Sequence, residues 1–560
     1  MAHPIQAIQE MAGAAGADPR PMQRSSVFQG LNQGPAVTAA MISGVTSGGK
    51  RADDAPYHTN NDGIPWPDPA HSKTVGGIPV ASDVFLFQKQ QAFNRHKLLE
   101  RMVHPCGSGA FGYFETTKDV SHLTKAHFLR SSGVKTPIFI RYSTVTLGRE
   151  FPDLARNPRG FAVKFYTGEG NYDIVGLNFP IFFCRDPIQG PDAIRSQGRR
   201  PDNFLLDYNA TFDLLAHTPE GNHAGMMFFS DHGTPAGWHS NHGYGCHTFK
   251  WVNKEGKFVY IKYHFLADAG QKQFTRQEAV ELSGVNPDYS KQELWEAVER
   301  GDKISYTACI QVMEPEQADP EQLGFDPFDI TKVWPKDQFP LQEFGKLHVT
   351  KNPENYHRDV DQAAFSPVPW SQYHRIGVNY HQIPVNCPFM AGSMSSLNFD
   401  GQMRIDANHG GNPDYAPNSF EPVSRFRSDA AETPYKVADP IVSRKSHFYH
   451  EGKLSDYDQP RALYEKVMTE TQREHLHSNT AVMLGHVSET KIQVLYLAQQ
   501  YNIKPSYAKA IYDLLPQKKF EFSEVEAASK GAEKRTKTPK FMPSAGERLM
   551  GMPVQGVYNM

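Results

Sequence analysis

The sequence predicts an α+β fold in which an antiparallel β-barrel or sandwich is wrapped by a long irregular segment and followed by a small helical domain. Three observations lead there. Between residues 136 and 320, apolar, β-branched and aromatic runs are broken by Gly, Pro and Asn, the punctuation of closely spaced strands. From 321 to 435, Pro, Asn, Gly and Asp are frequent and periodicity is poor, as in a segment without a core of its own. Over 436 to 516 apolar residues return at helical spacing.

Residues 1–56 are rich in Ala, Gly, Pro, Ser and Gln without periodicity. They cannot bury enough surface to offset their ordering entropy, so a disordered extension is expected. The expected strands are Thr136–Val145, Gly160–Thr167, Tyr172–Cys184, Met226–Ser230, Tyr244–Asn253, Phe258–Ala267 and Ile304–Met313. Connections this short cannot join parallel neighbours, which makes the pairing antiparallel. The run from Phe161 to Phe165 alternates, whereas Asp173 to Phe183 is nearly continuous in apolar residues and requires cover on both faces. In the helical domain, one helix is expected over Arg461–Leu484 and a second opens at Ile492, Leu495 and Tyr496. A third carries Tyr507, Ala510, Ile511 and Leu514 at i, i+3, i+4, i+7, with Pro505 near its start, where proline is tolerated. Residues 517–560 read as a charged, solvated tail.

The chain of 560 residues can bury a core large enough to keep a cofactor from water. Its 58 Lys and Arg against 61 Asp and Glu give a net charge of −3, which argues against nucleic acid or anionic membrane as partner and for a small-molecule function. Five scattered cysteines form no C-x-x-C or C-x-x-C-H spacing, so reduced, buried thiols are expected. No run approaches the roughly 18 apolar residues of a membrane span, and the first fifty residues lack a signal-peptide core. The C-terminal Tyr558-Asn559-Met560 is not an S-K-L peroxisomal address. An intracellular protein, cytoplasmic or peroxisomal, is expected.

Among 24 histidines any single one is by default structural. His239, His242 and His247 cluster in HSNHGYGCH, but their spacing fits no H-E-x-x-H-like ligand pattern. Phosphate-binding G-x-x-x-x-G-K-[ST] and nucleophile-elbow G-x-S-x-G motifs are absent from the sequence. The segment Phe93 to Gly112, FNRHKLLERMVHPCGSGAFG, closely resembles the distal-histidine segment of haem catalases. Arg141 to Val145, Asn157 to Lys164 with Phe165, Val175 to Phe183, Asn379-Tyr380 and Ile383 to Pro388 continue that resemblance in order, across roughly residues 57 to 516.

The resemblance implies an eight-stranded antiparallel barrel over 136–320, an N-terminal arm over 57–135 and a wrapping segment over 321–435. It also implies haem b, a homotetramer, and hydrogen peroxide as substrate. His104 matches the histidine that moves a peroxide proton to the leaving oxygen. Asn178 matches an amide that donates to bound peroxide, and Ser143 the residue orienting the histidine. Arg101, Arg141 and Arg375 match residues that hold haem propionates, where a planar guanidinium suits a carboxylate. His247 matches a residue partnered by an arginine on the proximal side.

Here the sequence departs from the family. The iron-ligating tyrosine lies, in catalases, between an A-F-S-P and an H-R-[LI]-G run. Ala364-Phe365-Ser366-Pro367 and His374-Arg375-Ile376-Gly377 are present, but only VPWSQY separates them, leaving the segment roughly twenty residues short, several turns of helix. The tyrosine's position falls on Val368, and Tyr373, the nearest phenol, matches no ligand, so no metal ligand is assigned. Gly190 and Ala193 stand where phenylalanines commonly line the access channel, which implies a wider channel. Of the family's NADPH contacts His223, Ser230, Tyr244 and Trp334 match, whereas Met227, His232, His242, Leu266 and Lys336 do not, so no tightly bound NADPH is expected. Three readings follow: a peroxide-dismuting catalase, a catalase-like enzyme for organic hydroperoxides, and a haem-poor barrel without catalysis.

Overall fold

The computed structural model describes residues 60, 70–75, 78–80, 82–94, 100–200, 203–365, 374–376, 442–444 and 454–534. The chain divides into the units Met1–Pro69 and Ala70–Met560, and all elements below belong to the second. The expected disordered extension, and the charged tail beyond residue 534, lie outside the described residues.

Strands β1 (Lys73–Val75) and β2 (Ile78–Pro79) form a hairpin, and helix α1 (Val84–Asn94) follows. The barrel starts with β3 (Gly107–Thr116), β4 (Lys135–Thr144), β5 (Arg159–Thr167) and β6 (Gly170–Leu177), each antiparallel to the last. It continues through β7 (Gly243–Tyr244), β8 (Phe249–Val252), β9 (Phe258–Ala267) and β10 (Ile304–Met313) to β11 (Gln342–Lys351). β11 pairs with both β10 and β3, closing an eight-stranded antiparallel barrel in which β7 and β8 share one edge of β9. Closure removes the open edges that a flat sheet would present. β12 (His374–Ile376) adds to β8, and β13 (Val442–Arg444) to β1.

Two interiors hold the molecule together. The barrel is filled by inward residues of each strand, among them Phe114, Ile140, Phe165, Ile261 and Leu347, all essentially inaccessible. Phe114 and Phe165 meet edge to face at 5.3 Å, and each such ring contributes roughly 1.5–3 kcal/mol through burial. Phenols buried in the barrel are paired: Tyr142 with Tyr306 at 3.0 Å, and Tyr263 with Trp251, whose Nε1 donates to it at 2.7 Å. Helices α2 (Gly190–Ser196), α3 (Tyr208–His217) and α4 (Gly221–Phe229) fill the β6–β7 connection. Helices α5 (Arg276–Val285) and α6 (Tyr289–Glu299) fill the β9–β10 connection.

A second core joins α3 and α4 to α7 (Glu470–Leu484), α8 (Thr490–Ile503), α9 (Pro505–Asp513) and α10 (Phe522–Ser529). Pro505 sits in the first turn of α9, as its missing N–H allows. Asp456, just before the helical layer, accepts from Arg185 at 2.5 Å and Lys332 Nζ at 2.6 Å, tying it to the barrel's connecting segments.

The structure corrects several sequence expectations. The barrel is not confined to 136–320: it takes β3 from the expected arm and β11 from the expected wrapping segment. Three glycines in β3 mask a strand that buries Ala110 and Phe114. Met226–Ser230 lies in and at the end of α4, because Gly221–Phe229 is buried on all sides and periodicity cannot separate a buried strand from a buried helix. The expected strand Tyr172–Cys184 stops at Leu177, where Phe179-Pro180 begins an irregular run. The helix Arg461–Leu484 is broken at Met468, which is extended, and restarts at Thr469, whose hydroxyl and Gln472 form a capping box. The helical layer also runs past 516: α10 buries Val525, and Phe520 packs in the same core.

Candidate active site

The run from Arg101 to Cys106 turns sharply into β3. His104 has φ 63°, a left-handed conformation uncommon for a residue with a side chain, and its N–H donates to Val145 O at 2.9 Å. That turn lays the imidazole onto β5. A Cβ at Gly160 would stand 2.5 Å from His104 Nδ1 and 2.4 Å from Ser143 Oγ, so only glycine leaves room for the ring.

His104 Nδ1 meets Ser143 Oγ at 2.9 Å. Burial, with the charges of Arg141 and then Arg101, lowers the imidazole pKa to about 3, against a small opposing pull from the Thr144 backbone. The ring is therefore neutral at neutral pH. In the tautomer that carries its proton on Nδ1, facing Ser143, Nε2 keeps a lone pair and can accept a proton.

Arg101 and Arg141 converge on one turn. Arg101 Nη2 donates to Val360 O at 3.1 Å, Asp361 O at 2.6 Å and Ala363 O, and Arg141 Nε donates to Val360 O at 3.3 Å. The turn they clasp, His357–Asp361, belongs to the segment after β11. Arg141 is buried beside a second cation, which lowers its pKa to about 9, and its Nη2 is buried without a hydrogen-bond partner among the described residues. A second guanidinium beside the unused Arg141 donor makes this corner suited to a ligand bearing a carboxylate.

Asn178 is not brought to His104. Ser143 pairs with Gly160, and Gly160 with Leu177; opposed residues share a face, and the Gly160 face is the one His104 covers. Leu177 therefore occupies that face, in one apolar cluster with Val103, Val145 and Cys246. Asn178, one residue on, uses its amide elsewhere: Oδ1 accepts from Arg159 N at 2.7 Å and Nδ2 donates to His232 O at 2.9 Å. The expected peroxide-binding amide is a buried brace between β5 and the turn at Asp231–Gly233. Strand parity around Gly160 was the signal that could have shown this.

His247 follows Cys246, whose φ is 57°, and burial with the charge of Lys262 lowers its pKa to about 4. Arg375 is placed by its backbone opposite Lys250 in the β8–β12 pair. Val368 and Tyr373, as well as the matching runs Asn379-Tyr380 and Ile383–Pro388, lie outside the described residues. Ala193 is fully buried in α2, so any space it leaves is interior. Of the would-be NADPH contacts, His223 Nδ1 meets Thr331 O at 3.1 Å, Ser230 Oγ donates to Met227 O at 2.8 Å, and Trp334 Nε1 donates to Pro327 O at 3.1 Å.

A closed barrel presenting a neutral histidine, its hydroxyl partner and two converging arginines is an arrangement that can pass a proton next to a pair of cations. The catalase family model matches residues 59–371 and 369–422, and the model described as catalase-related immune-responsive matches 450–515. The chain belongs to the catalase family. It is 41% identical to a catalase of Methanosarcina barkeri over 81% of this chain and 92% of that one. It is 39% identical to a peroxisomal catalase of Toxoplasma gondii, over 79% and 92%. Among solved structures, catalase A from Saccharomyces cerevisiae superposes with a TM-score of 0.66 at 33% identity, covering 83% of this chain and 99% of that one.

Proposed function

We propose that this chain dismutes hydrogen peroxide to water and dioxygen with haem b as cofactor. The observation that carries the reading is His104, neutral and held by Ser143, beside two arginines of which one has an unused buried donor. The residues present fit haem on this side. Arg101 and Arg141 would take its carboxylates, and Val103, Val145 and Leu177 would form an apolar wall against its face. Haem, when bound, supplies the redox capacity that cleaving the O–O bond and releasing dioxygen require.

The chain's own part is proton management. Nε2 of His104 accepts the proton of one peroxide oxygen, and Ser143 keeps the ring oriented while Nε2 hands that proton to the departing oxygen, which leaves as water. Proton transfer of this kind is worth about 10²–10⁴ in rate. The surrounding apolar side chains exclude water that would compete for the same lone pair.

A second reading, turnover of organic hydroperoxides, is favoured by Leu177, which makes the His104 face more apolar than an amide would. A homotetramer and an intracellular location, cytoplasmic or peroxisomal, rest on the family resemblance; no helix among the described residues is long and apolar enough to cross a membrane. The test is titration of the purified full chain with haem b, followed by its Soret absorption. One haem per chain is expected, with Arg141→Ala binding more weakly. A chain with no Soret shift would leave a catalase fold without catalase chemistry.

A further inference from the structure

The helical layer holds a cluster of titratable rings that the His104 site does not use. Tyr464, in the turn Leu463–Val467 that precedes α7, is only 8% exposed, and its hydroxyl lies 3.0 Å from Nε2 of His477 on α7. Tyr507 on α9 completes the group, with its ring centre 4.9 Å from that of Tyr464 and 5.7 Å from that of His477. Both phenols belong to the core shared by α7, α8 and α9.

The two phenols differ in what their hydroxyls meet. Burial raises the pKa of Tyr464, so its proton is in place at neutral pH. Burial, with the charge of Arg473, lowers the pKa of His477 to about 4, which leaves the imidazole neutral. In the tautomer that carries its proton on Nδ1, His477 Nε2 accepts from the Tyr464 hydroxyl. The Tyr507 hydroxyl is buried beside Thr480 and Tyr496, neither of which is a base. Other buried phenols also face groups that take no proton at neutral pH. Tyr457 donates to Gln499 Oε1 at 2.8 Å, Tyr512 to Phe520 O at 2.8 Å, and Tyr142 pairs with Tyr306.

A phenol that loses an electron becomes a strong acid, and a base already in contact takes its proton without waiting for water. We propose that Tyr464 and His477 form a one-electron oxidation site whose oxidant is an organic peroxyl radical. One electron passes from Tyr464 to the peroxyl radical, which takes a proton from water and becomes the hydroperoxide. The phenolic proton moves to His477 Nε2, leaving a neutral tyrosyl radical and an imidazolium. The Arg473 guanidinium, 5.7 Å from the Tyr464 ring centre, makes that imidazolium more acidic, so the proton returns when an external one-electron reductant restores the phenol. Tyr507 has no base to deprotonate it, so the radical stays on Tyr464, where burial keeps it from coupling with a second radical. The site requires no haem.

The experiment exposes the purified full chain to peroxyl radicals, generated in air from a water-soluble azo initiator, and follows electron paramagnetic resonance. A long-lived neutral tyrosyl signal is expected, formed at a rate independent of pH between about 6 and 8 because His477 is neutral throughout. Tyr464→Phe removes that signal. His477→Gln keeps a hydrogen-bond acceptor but no base, so radical formation slows by about a hundredfold and becomes faster as pH rises. Nitroso spin trapping of the wild-type chain, mapped by peptide mass spectrometry, places the adduct on Tyr464 and needs no variant to fold. No tyrosyl signal, an unchanged signal in Tyr464→Phe, a His477→Gln rate equal to wild type, or adducts confined to exposed phenols such as Tyr356 would overturn the proposal.

Discussion

A proton acceptor must be unprotonated before peroxide arrives, and the surroundings of His104 secure that: burial and two neighbouring guanidiniums lower its pKa to about 3. Its contribution to stability has a definite sign. The folded pKa lies below the unfolded value near 6.5, so the unfolded chain takes up the proton first. The stability tied to the neutral ring is complete above about 6.5 and is lost as pH falls towards 3. Turnover by the haem-loaded chain should accordingly show no acid limb from His104 between pH 7 and 5, and a pH-rate profile checks this. Neighbouring positions 177 and 178 should behave oppositely. Asn178→Ala strands the Arg159 N–H and His232 carbonyl, and should cost about 1–3 kcal/mol in a urea denaturation midpoint. Leu177→Asn should lower stability, because it buries an amide among Val103 and Val145, yet raise peroxide turnover by placing a donor on the His104 face. Unchanged turnover in a folded Leu177→Asn protein would mean that this face is not the reacting one. His104, Ser143, Arg101 and Arg141 were legible from sequence because their local runs are distinctive. Asn178 was misplaced because a motif supplies residue type, whereas which face a side chain takes depends on register, and a one-residue step reverses it.

At the scale of elements, the helical layer is joined to the barrel by charge as well as packing. Asp456 sits against Arg185 and Lys332, and these cations hold its carboxyl well below the usual carboxylate range despite burial. A depressed carboxyl stabilises the fold above its unfolded pKa and is lost as pH falls through its folded one. Asp456→Asn removes one carboxylate from Arg185 and Lys332, which keep Asp329, and should cost about 1–3 kcal/mol, read as a lower thermal midpoint at neutral pH. The α10 segment makes a simpler test. Ending the chain at residue 516 removes Phe520 and Val525 from a shared core and the acceptor of the Tyr512 hydroxyl, Phe520 O at 2.8 Å. Loss of thermal stability and increased binding of an apolar dye are expected. Composition made this stretch read as a tail because its lysines and glutamates outnumber its few apolar residues. The strands β4, β5, β9 and β10 were legible within a residue or so because aromatic and β-branched runs mark them. Glycine-rich β3 and the polar-edged β11 were not, since barrel closure rather than local propensity makes them strands.

For the whole molecule, the barrel interior is a packed aromatic core, so chemistry is confined to one wall, where β3, β4, β5 and β6 present His104, Ser143, Gly160 and Leu177. That wall faces the segment after β11, whose carbonyls hold Arg101 and Arg141. Antiparallel barrel and helical layer were readable from periodicity; eight strands followed from the resemblance, and the site's final composition needed the three-dimensional register. The most direct measurement is oxygen evolution from hydrogen peroxide by the full chain supplied with haem b, compared with His104→Ala. The account predicts one dioxygen for every two peroxides consumed and a rate lower by about 10²–10⁴ in the variant. No oxygen from the wild-type chain, or the same rate from both proteins, would contradict it.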